Sequence, residues 1–311
     1  MTQIAAETLG VPLSDVFISE TATNTVANSS STAASASSDL NGYAIHNACL
    51  ELNERLAPFK EKLGKDATMK DLAHAAYFAR VNLSAQGFYK TPDIGYVWGE
   101  NTGQMFFYFT QGVAAAEVEI DTLTGDWTTR RADIKMDVGR SINPAIDYGQ
   151  IEGAFVQGQG LFTTEESLWL RGTGGVATKG PGNYKIPGFR DIPQDFNVSL
   201  LKDVNWENLR TIQRSRGVGK FSFLFFFSLL FFSLHWLTDV IGEPPLFMGS
   251  AVFFAIRDAL KAARAQFGET SILHLTSPAT VERIRVSCAD PILKRAWVEP
   301  KEGEKSFFIS I

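Results

Sequence analysis

FFYFTQGVAAAEVEIDTLTGDWTTRRADIKMDVGRSINPAIDYGQIEGAFVQGQG, residues 106–160, is the stretch on which the fold turns. From Phe106 to Ile120 apolar and polar residues alternate, ending Ala116-Glu117-Val118-Glu119-Ile120-Asp121. Leu123-Thr124-Gly125-Asp126 supplies a turn and Trp127 to Val138 alternates back, which predicts a β-hairpin. Asn143-Pro144 then opens a helix, with proline early, where its missing N–H costs nothing. Ile146, Ile151, Phe155 and Val156 are its apolar members. Gly149, Gly153, Gly158 and Gly160 each weaken that helix by up to about 1 kcal/mol relative to alanine, so their presence points to close packing against a backbone or a ligand. Glu117, Glu119 and Asp121 form an acidic row that a metal could use, but strand alternation places them on a solvated face. Strands and a helix in one short run predict a mixed α/β chain.

Upstream, Ile4, Leu9, Val11 and Leu13 suggest a short amphipathic helix that ends at Gly10, with Pro12 as the stop. Val16-Phe17-Ile18 reads as a short strand. Glu20 to Ser31 is polar and small, a flexible loop by composition alone. Thr32 to Ser37 then opens a long helix, with Ala44, Ile45, Ala48, Cys49, Leu52 and Leu56 at helical spacing and an end before Pro58. A helix start made of small residues lets a ligand approach free backbone N–H groups, and the helix dipole favours an anion there. His46, on this helix, is expected to be exposed. Asp71 to Arg80 reads as a helix and Val81 to Phe88 as a strand.

Downstream, Arg171 to Gly182 is a glycine-rich loop and Phe196 to Leu201 a strand. Phe247 to Phe267 is an amphipathic helix closed by Gly268, and Ser277-Pro278-Ala279-Thr280 with Glu282 starts a last short one.

The 311 residues are 45 % apolar and 20 % charged, an ordinary globular composition that excludes wholesale disorder. With 29 basic and 34 acidic residues the net charge is −5, and without a basic block the chain is a poor partner for nucleic acid. Two cysteines make neither a disulfide framework nor a metal cage, so a reducing compartment is expected. No secretory signal and no dinucleotide-binding glycine loop is expected. The first helix pattern stands at residue 4, as in a chain that begins mid-fold.

Phe221 to Leu237 is nearly all Phe, Leu and Ser. A bilayer span needs roughly 17–25 apolar residues, so a single-pass membrane-anchored protein is an alternative. Globular pattern on both sides and the lack of a flanking basic cluster argue against it.

Several stretches together resemble the C-terminal part of the molybdenum-cofactor domain of the xanthine dehydrogenases, in the molybdenum hydroxylase family. They are Thr21 to Gly42 (TATNTVANSSSTAASASSDLNG), Ser84 to Pro92 (SAQGFYKTP), Ala116 to Asp121, and Met136 to Gly160 (MDVGRSINPAIDYGQIEGAFVQGQG). Tyr184 to Ile192 (YKIPGFRDI), Gly242 to Phe247 (GEPPLF) and Ser277 to Arg285 complete the set. The resemblance implies an α/β mixed (α+β) fold, a molybdopterin-binding portion with two subdomains of mixed sheets and packed helices. It implies that Glu243, in Gly-Glu-Pro-Pro, is the general base that deprotonates the hydroxyl at molybdenum before attack on an electron-poor purine carbon. It also implies that Ala33, Ala34, Ser35 and Ser37 hold the cofactor, the Ala34 backbone lying near the metal, and that Gln150 lines the pterin.

The same resemblance implies oxidation of hypoxanthine and xanthine to urate with water as oxygen source, in purine catabolism; an aldehyde oxidase is the alternative within the family. The 2Fe-2S clusters, FAD and NAD belong to N-terminal parts of such enzymes, as does the substrate-positioning half of the molybdenum domain. This chain alone is therefore expected to be inactive, with the rest of the enzyme chain as its partner, and the intact relative a homodimer. A cytoplasmic location is implied; the tail Phe308-Ile309-Ser310-Ile311 is not a peroxisomal Ser-Lys-Leu signal.

One departure divides the second molybdopterin-binding region into residues 1–218 and 242–311. Family members run Val-Gly-Glu-Pro-Pro without a break, whereas here residues 219–241 separate Val218 from Gly242-Glu243. Gly219-Lys220-Phe221 can be encoded by GGTAAGTTT, which contains a splice-donor sequence, and Ile241-Gly242 through ATAG. Removing codons 219–241 restores Val218-Gly242-Glu243 in frame, so the insertion reads as a translated, unspliced intron.

Overall fold

The computed structural model describes residues 1–26, 28, 36–170, 172–202, 211–212, 215 and 244–296. The chain forms two compact units, each assembled from separate stretches: 1–110, 138–147 and 202–243 in one, 111–137, 148–201 and 244–311 in the other.

The first unit is built around a long helix. Helix α1 (Thr2–Leu9) ends where Gly10 adopts φ 71°, as the glycine before Pro12 predicts. Helix α2 (Ser37–Leu63) packs against α1 and against α3 (Met69–Phe78). Gly42 permits the close approach of α1, since a Cβ there would stand 2.9 Å from the Ile4 side chain. Leu56, Leu72 and Ala76 form a small core with Phe59 and Met69 packed on it. Helix α3 is capped at Thr68, whose hydroxyl accepts from the Asp71 N–H while the Asp71 carboxylate accepts from the Thr68 N–H. A short antiparallel pair, β1 (Gly95–Val97) and β2 (Thr102–Gln104), completes the described part of this unit and was not expected from the sequence.

Four sequence expectations are corrected here. Helix α2 continues through Pro58 to Leu63: the proline forfeits one helix hydrogen bond, and the packing of Phe59, one residue on, against the Leu56 core offsets it. Val16-Phe17-Ile18 is not a strand: nothing pairs with it, and Phe17 and Ile18 are 86 % and 73 % exposed. Val81 to Phe88 is extended but joins no sheet. Its backbone is satisfied by α2 instead, with Arg55 donating to the carbonyls of Asn82 and Ser84 and Asn47 donating to that of Phe88. His46 is half-buried rather than exposed, its Nδ1 3.1 Å from the Thr8 hydroxyl.

The second unit holds the expected hairpin, β3 (Gly112–Ile120) and β4 (Trp127–Met136), with β5 (Asp195–Leu200) parallel to β4 on its other edge. The sheet is therefore mixed, as the fold reading expects. A bulge at Glu117/Val118 leaves Arg130 without a register partner. The extra residue resets the alternation, so that Thr129 faces the core along with Ala132, Ile134 and Met136. The strand starts at Gly112 rather than Phe106, the preceding aromatics packing on one another instead (Phe106 and Phe109 centroids 5.8 Å apart).

Helix α4 (Pro144–Thr163) starts at the predicted proline and buries Ile151, Phe155 and Gln159. The helix expected over 247–267 is divided into α5 (Pro244–Met248) and α6 (Ser250–Gln266). Helix α6 packs on β3 and buries Val252, Ile256 and Leu260. Helices α7 (Val281–Ser287) and α8 (Pro291–Ala296) follow, α8 having no counterpart in the sequence reading.

Candidate cofactor-binding site

Four of the residues singled out for the site, Ala33, Ala34, Ser35 and Glu243, lie outside the described residues, as does the 219–241 insertion. Ser37 and Gln150 are described, and so are the elements that flank the others.

Ser37 is the first residue of α2 and is half-buried. No side chain caps this helix: Ala36 stands at the N-cap, 8 % exposed. The N–H groups of the first turn thus keep their capacity to bind an acceptor. Asp39 in that turn would repel an anion, but its carboxylate is engaged, accepting from the Tyr108 hydroxyl (2.8 Å) and from the Ile212 N–H (3.1 Å).

Beside this helix start lies a cavity of about 130 Å³. Ser38 lines it from α2, Met1, Gln3 and Ile4 from the chain start and α1, Ile142 and Asn143 from just before α4, and Ile146 and Asp147 from its first turn, with Ser215 beside them. The sequence reading missed Asp147, which is only 5 % exposed. The Ser141 hydroxyl donates to its Oδ2. Burial pushes this carboxyl above the ordinary carboxylate range, and the Ser141 bond opposes the rise. Its Oδ1 has no partner among the described residues. The signal in the sequence is the spacing: Asp147, Ile151 and Phe155 fall on one α4 stripe, so the aspartate continues the buried face.

Gln150 stands three residues further along α4, half-buried, and its amide makes no hydrogen bond among the described residues. The four helix glycines divide into two kinds. A Cβ on Gly149 or Gly153 would meet nothing within 4 Å, which corrects the expectation of close packing for these two. A Cβ on Gly158 would stand 1.7 Å from the Leu246 carbonyl oxygen, and one on Gly160 2.5 Å from the Pro187 ring. Gly249, between α5 and α6, approaches the Gly158–Gln159 backbone just as closely, its Cβ 2.4 Å from the Gln159 nitrogen. Helix α5, which follows Glu243 in the chain, is thus fixed backbone to backbone against α4.

The next residue of α4 is locked as well. Gln159 is fully buried, accepts from the Thr129 hydroxyl (3.1 Å) and donates to the Asp191 carbonyl (2.5 Å). A buried amide with both ends satisfied specifies one packing of helix against strand. Nearby, the Tyr184 hydroxyl donates to Glu165 (2.6 Å), whose carboxyl is pushed up by burial.

A pterin bearing a phosphate needs donors for the anion and a polar slot for the ring. The uncapped start of α2 and the cavity with one unengaged carboxylate oxygen supply both, so the residues present fit such a group. Among the described residues no group of three or more His, Cys, Asp or Glu could hold a metal ion unaided, and no helix is long and apolar enough to cross a membrane.

The fold and this site define a molybdopterin cofactor-binding domain, and the chain belongs to that family, whose profile matches residues 1–193. Among individual relatives, a xanthine dehydrogenase of Emericella nidulans is 76 % identical over all of this chain, which covers 21 % of that protein. Nicotinate hydroxylase hnxS of the same organism is 54 % identical over all of this chain, covering 20 % of its length. The solved CO dehydrogenase from Oligotropha carboxidovorans shares the fold, with a TM-score of 0.68 at 20 % identity, over 92 % of this chain and 33 % of that one. The chain spans about a fifth of the length of the curated relatives it matches.

Proposed function

We propose that this chain is part of the molybdenum-binding region of a purine hydroxylase of the xanthine dehydrogenase type, which oxidises hypoxanthine and xanthine to urate with oxygen from water in purine catabolism. The observation that carries this reading is the difference in identity within one organism: 76 % to its xanthine dehydrogenase against 54 % to its nicotinate hydroxylase. The remainder of the enzyme, with 2Fe-2S clusters, FAD and an NAD site, then lies in polypeptide outside this chain, and the intact enzyme is a cytoplasmic homodimer.

When bound, the molybdenum cofactor supplies a two-electron redox centre that uses water as oxygen source. Glu243 accepts a proton at its carboxylate. Ala33, Ala34, Ser35 and Ser37 hold the cofactor at the start of α2, where the helix dipole favours negative charge. Gln150 offers its unengaged amide to the pterin. The contact of Gly158 with Leu246 and Gly249 holds α5, the helix that follows Glu243 in the chain, against α4.

The test is expression of the full-length enzyme with and without residues 219–241, followed by turnover of xanthine, hypoxanthine, nicotinate and an aromatic aldehyde. Purine turnover is expected only without the insertion, and Glu243→Gln is expected to lower it about 10²–10⁴-fold. Full xanthine turnover by Glu243→Gln, or a preference for nicotinate or the aldehyde, overturns the proposal. A cDNA read across codons 219–241 is expected to show transcripts that lack them. The chain alone is expected to carry no molybdenum and to leave xanthine unchanged.

A further inference from the structure

An acidic side chain in the first turn of a helix needs no partner to be favourable there, because the helix dipole already supports it. Asp39, the third residue of α2, is nevertheless bound on both oxygens by groups far away in the chain. Its Oδ2 accepts from the Tyr108 hydroxyl (2.8 Å) and its Oδ1 from the Ile212 N–H (3.1 Å), 69 and 173 residues distant. The carboxylate also works against an anion at this helix start, since like charges repel. Its two long-range bonds point to a task other than helix stability or anion attraction.

The Ile212 side of this junction is packed as well as bonded. Thr211 and Ile212 are 3 % and 2 % exposed, and a Cβ on Gly42, three residues along α2 from Asp39, would stand 3.2 Å from the Ile212 side chain. The Ser215 N–H donates to the Ile212 carbonyl (2.9 Å), and Ser215 pairs in turn with Gly139. Asp39 therefore joins three segments of the first unit: the start of α2, Tyr108, and residues 211–215. Apolar packing is non-directional, whereas a hydrogen bond sets both a distance and an angle. Two such bonds on one carboxylate fix where the first turn of α2 stands.

We infer that Asp39 is a positioning residue: it holds the first turn of α2 against Tyr108 and Ile212, so that Ser37 and the N–H groups of that turn keep the place the cofactor requires. It acts through the helix and makes no contact with the cofactor itself. The inference rests on the proposed function, which puts the cofactor at this turn. Because the role is geometric, the hydrogen bonds matter and the negative charge does not.

The experiment uses the full-length holoenzyme without residues 219–241 and compares wild type with Asp39→Asn, Asp39→Ala, Tyr108→Phe and Leu72→Ala. Bound pterin is read by the fluorescence of its oxidised form after denaturation, molybdenum by mass spectrometry, and stability by the melting temperature. Asparagine keeps both bonds, accepting from the Ile212 N–H and donating to the Tyr108 oxygen, so Asp39→Asn is expected to hold pterin within about twofold of wild type. Asp39→Ala loses both bonds and is expected to hold roughly tenfold less or lower still, and Tyr108→Phe, which loses one, about threefold less. Leu72→Ala opens the small core between α2 and α3, and is expected to lower the melting temperature at least as far as Asp39→Ala while keeping its pterin. Wild-type pterin content in Asp39→Ala overturns the inference and leaves the proposed function standing. Asp39→Asn as depleted as Asp39→Ala overturns it as well, because charge would then be the working property. Equal depletion of Leu72→Ala also overturns it, because general stability would then govern loading. Should Asp39→Ala fail to fold, Tyr108→Phe decides, and wild-type pterin content in that variant overturns the inference. Wild-type enzyme without any pterin overturns the proposed function and this inference with it.

Discussion

Replacing Gly158 by alanine puts two opposed effects at one position. Alanine is the better helix former by about 1 kcal/mol, so in an open helix face the change stabilises. At Gly158 the new Cβ would stand 1.7 Å from the Leu246 carbonyl oxygen and 2.7 Å from its carbon. An ordinary contact is about 3.4 Å, so α4 and α5 must separate by roughly 1.5 Å, and both obstructing atoms are backbone. Overpacking of this kind costs about 1–3 kcal/mol, and the rigid neighbour places this case at the upper end. The expected net loss is about 2 kcal/mol, against a gain of up to about 1 kcal/mol for Gly153→Ala, whose Cβ meets nothing within 4 Å. Urea denaturation of the two variants beside wild type measures the contrast. In the full-length enzyme a shift of α5 is also expected to lower turnover by about 10²-fold for Gly158→Ala and not for Gly153→Ala. Equal stability of the two variants, or a Gly158→Ala protein as stable as wild type, would refute the backbone-to-backbone contact.

The other predictions concern hydrogen-bonded polar groups in the second unit. Arg264, 8 % exposed, donates to the carbonyls of Ser287 (3.0 Å) and Ser271 (3.2 Å) and to the Ser271 hydroxyl (2.7 Å). Arg264→Ala is expected to cost about 3 kcal/mol in denaturant midpoint analysis, with Arg264→Lys recovering less than half because an ammonium lacks the planar fork. Arg283 donates to the Pro278 carbonyl (2.6 Å) and to Glu166 (2.5 Å), and Arg283→Ala is expected to cost about 1–2 kcal/mol by the same measurement. Tyr184→Phe removes the only influence that lowers the Glu165 carboxyl, which burial already holds above its ordinary range. A raised folded-state pKa means that the folded form binds the proton more tightly, so stability declines as pH rises from about 4.3 through the shifted value. The stability gap between Tyr184→Phe and wild type is therefore expected to widen over that interval and then level; a gap independent of pH would contradict the assignment.

Local patterns account for most of what the sequence disclosed. The β3–β4 hairpin, the Pro144 start of α4, the Gly10 stop of α1 and the strand β5 each depend on turn residues and periodicity within a few positions. The errors occur where a distant segment decides. Val81–Phe88 has the composition of a strand, but its carbonyls are taken by Asn47 and Arg55 of α2, which no local pattern discloses. Proline removes a helix hydrogen bond, and at Pro58 that loss is outweighed by the packing of Phe59, one residue on, against the Leu56 core. At the site, the family resemblance supplied Ser37 and Gln150, whereas Asp147 emerged only from the cavity that folded neighbours enclose around it. The glycines of α4 carry the same lesson: four identical residues in sequence, two facing open space, one against backbone and one against side chains.

The way the two units share the chain has a practical consequence. Each is pieced together from three stretches, and α4 itself belongs to one unit up to Asp147 and to the other from Tyr148. No single cut can therefore release either unit whole. Shortened versions intended to isolate the cofactor-facing residues would discard part of their own support, and crystallisation or reconstitution efforts are better served by keeping all the stretches together.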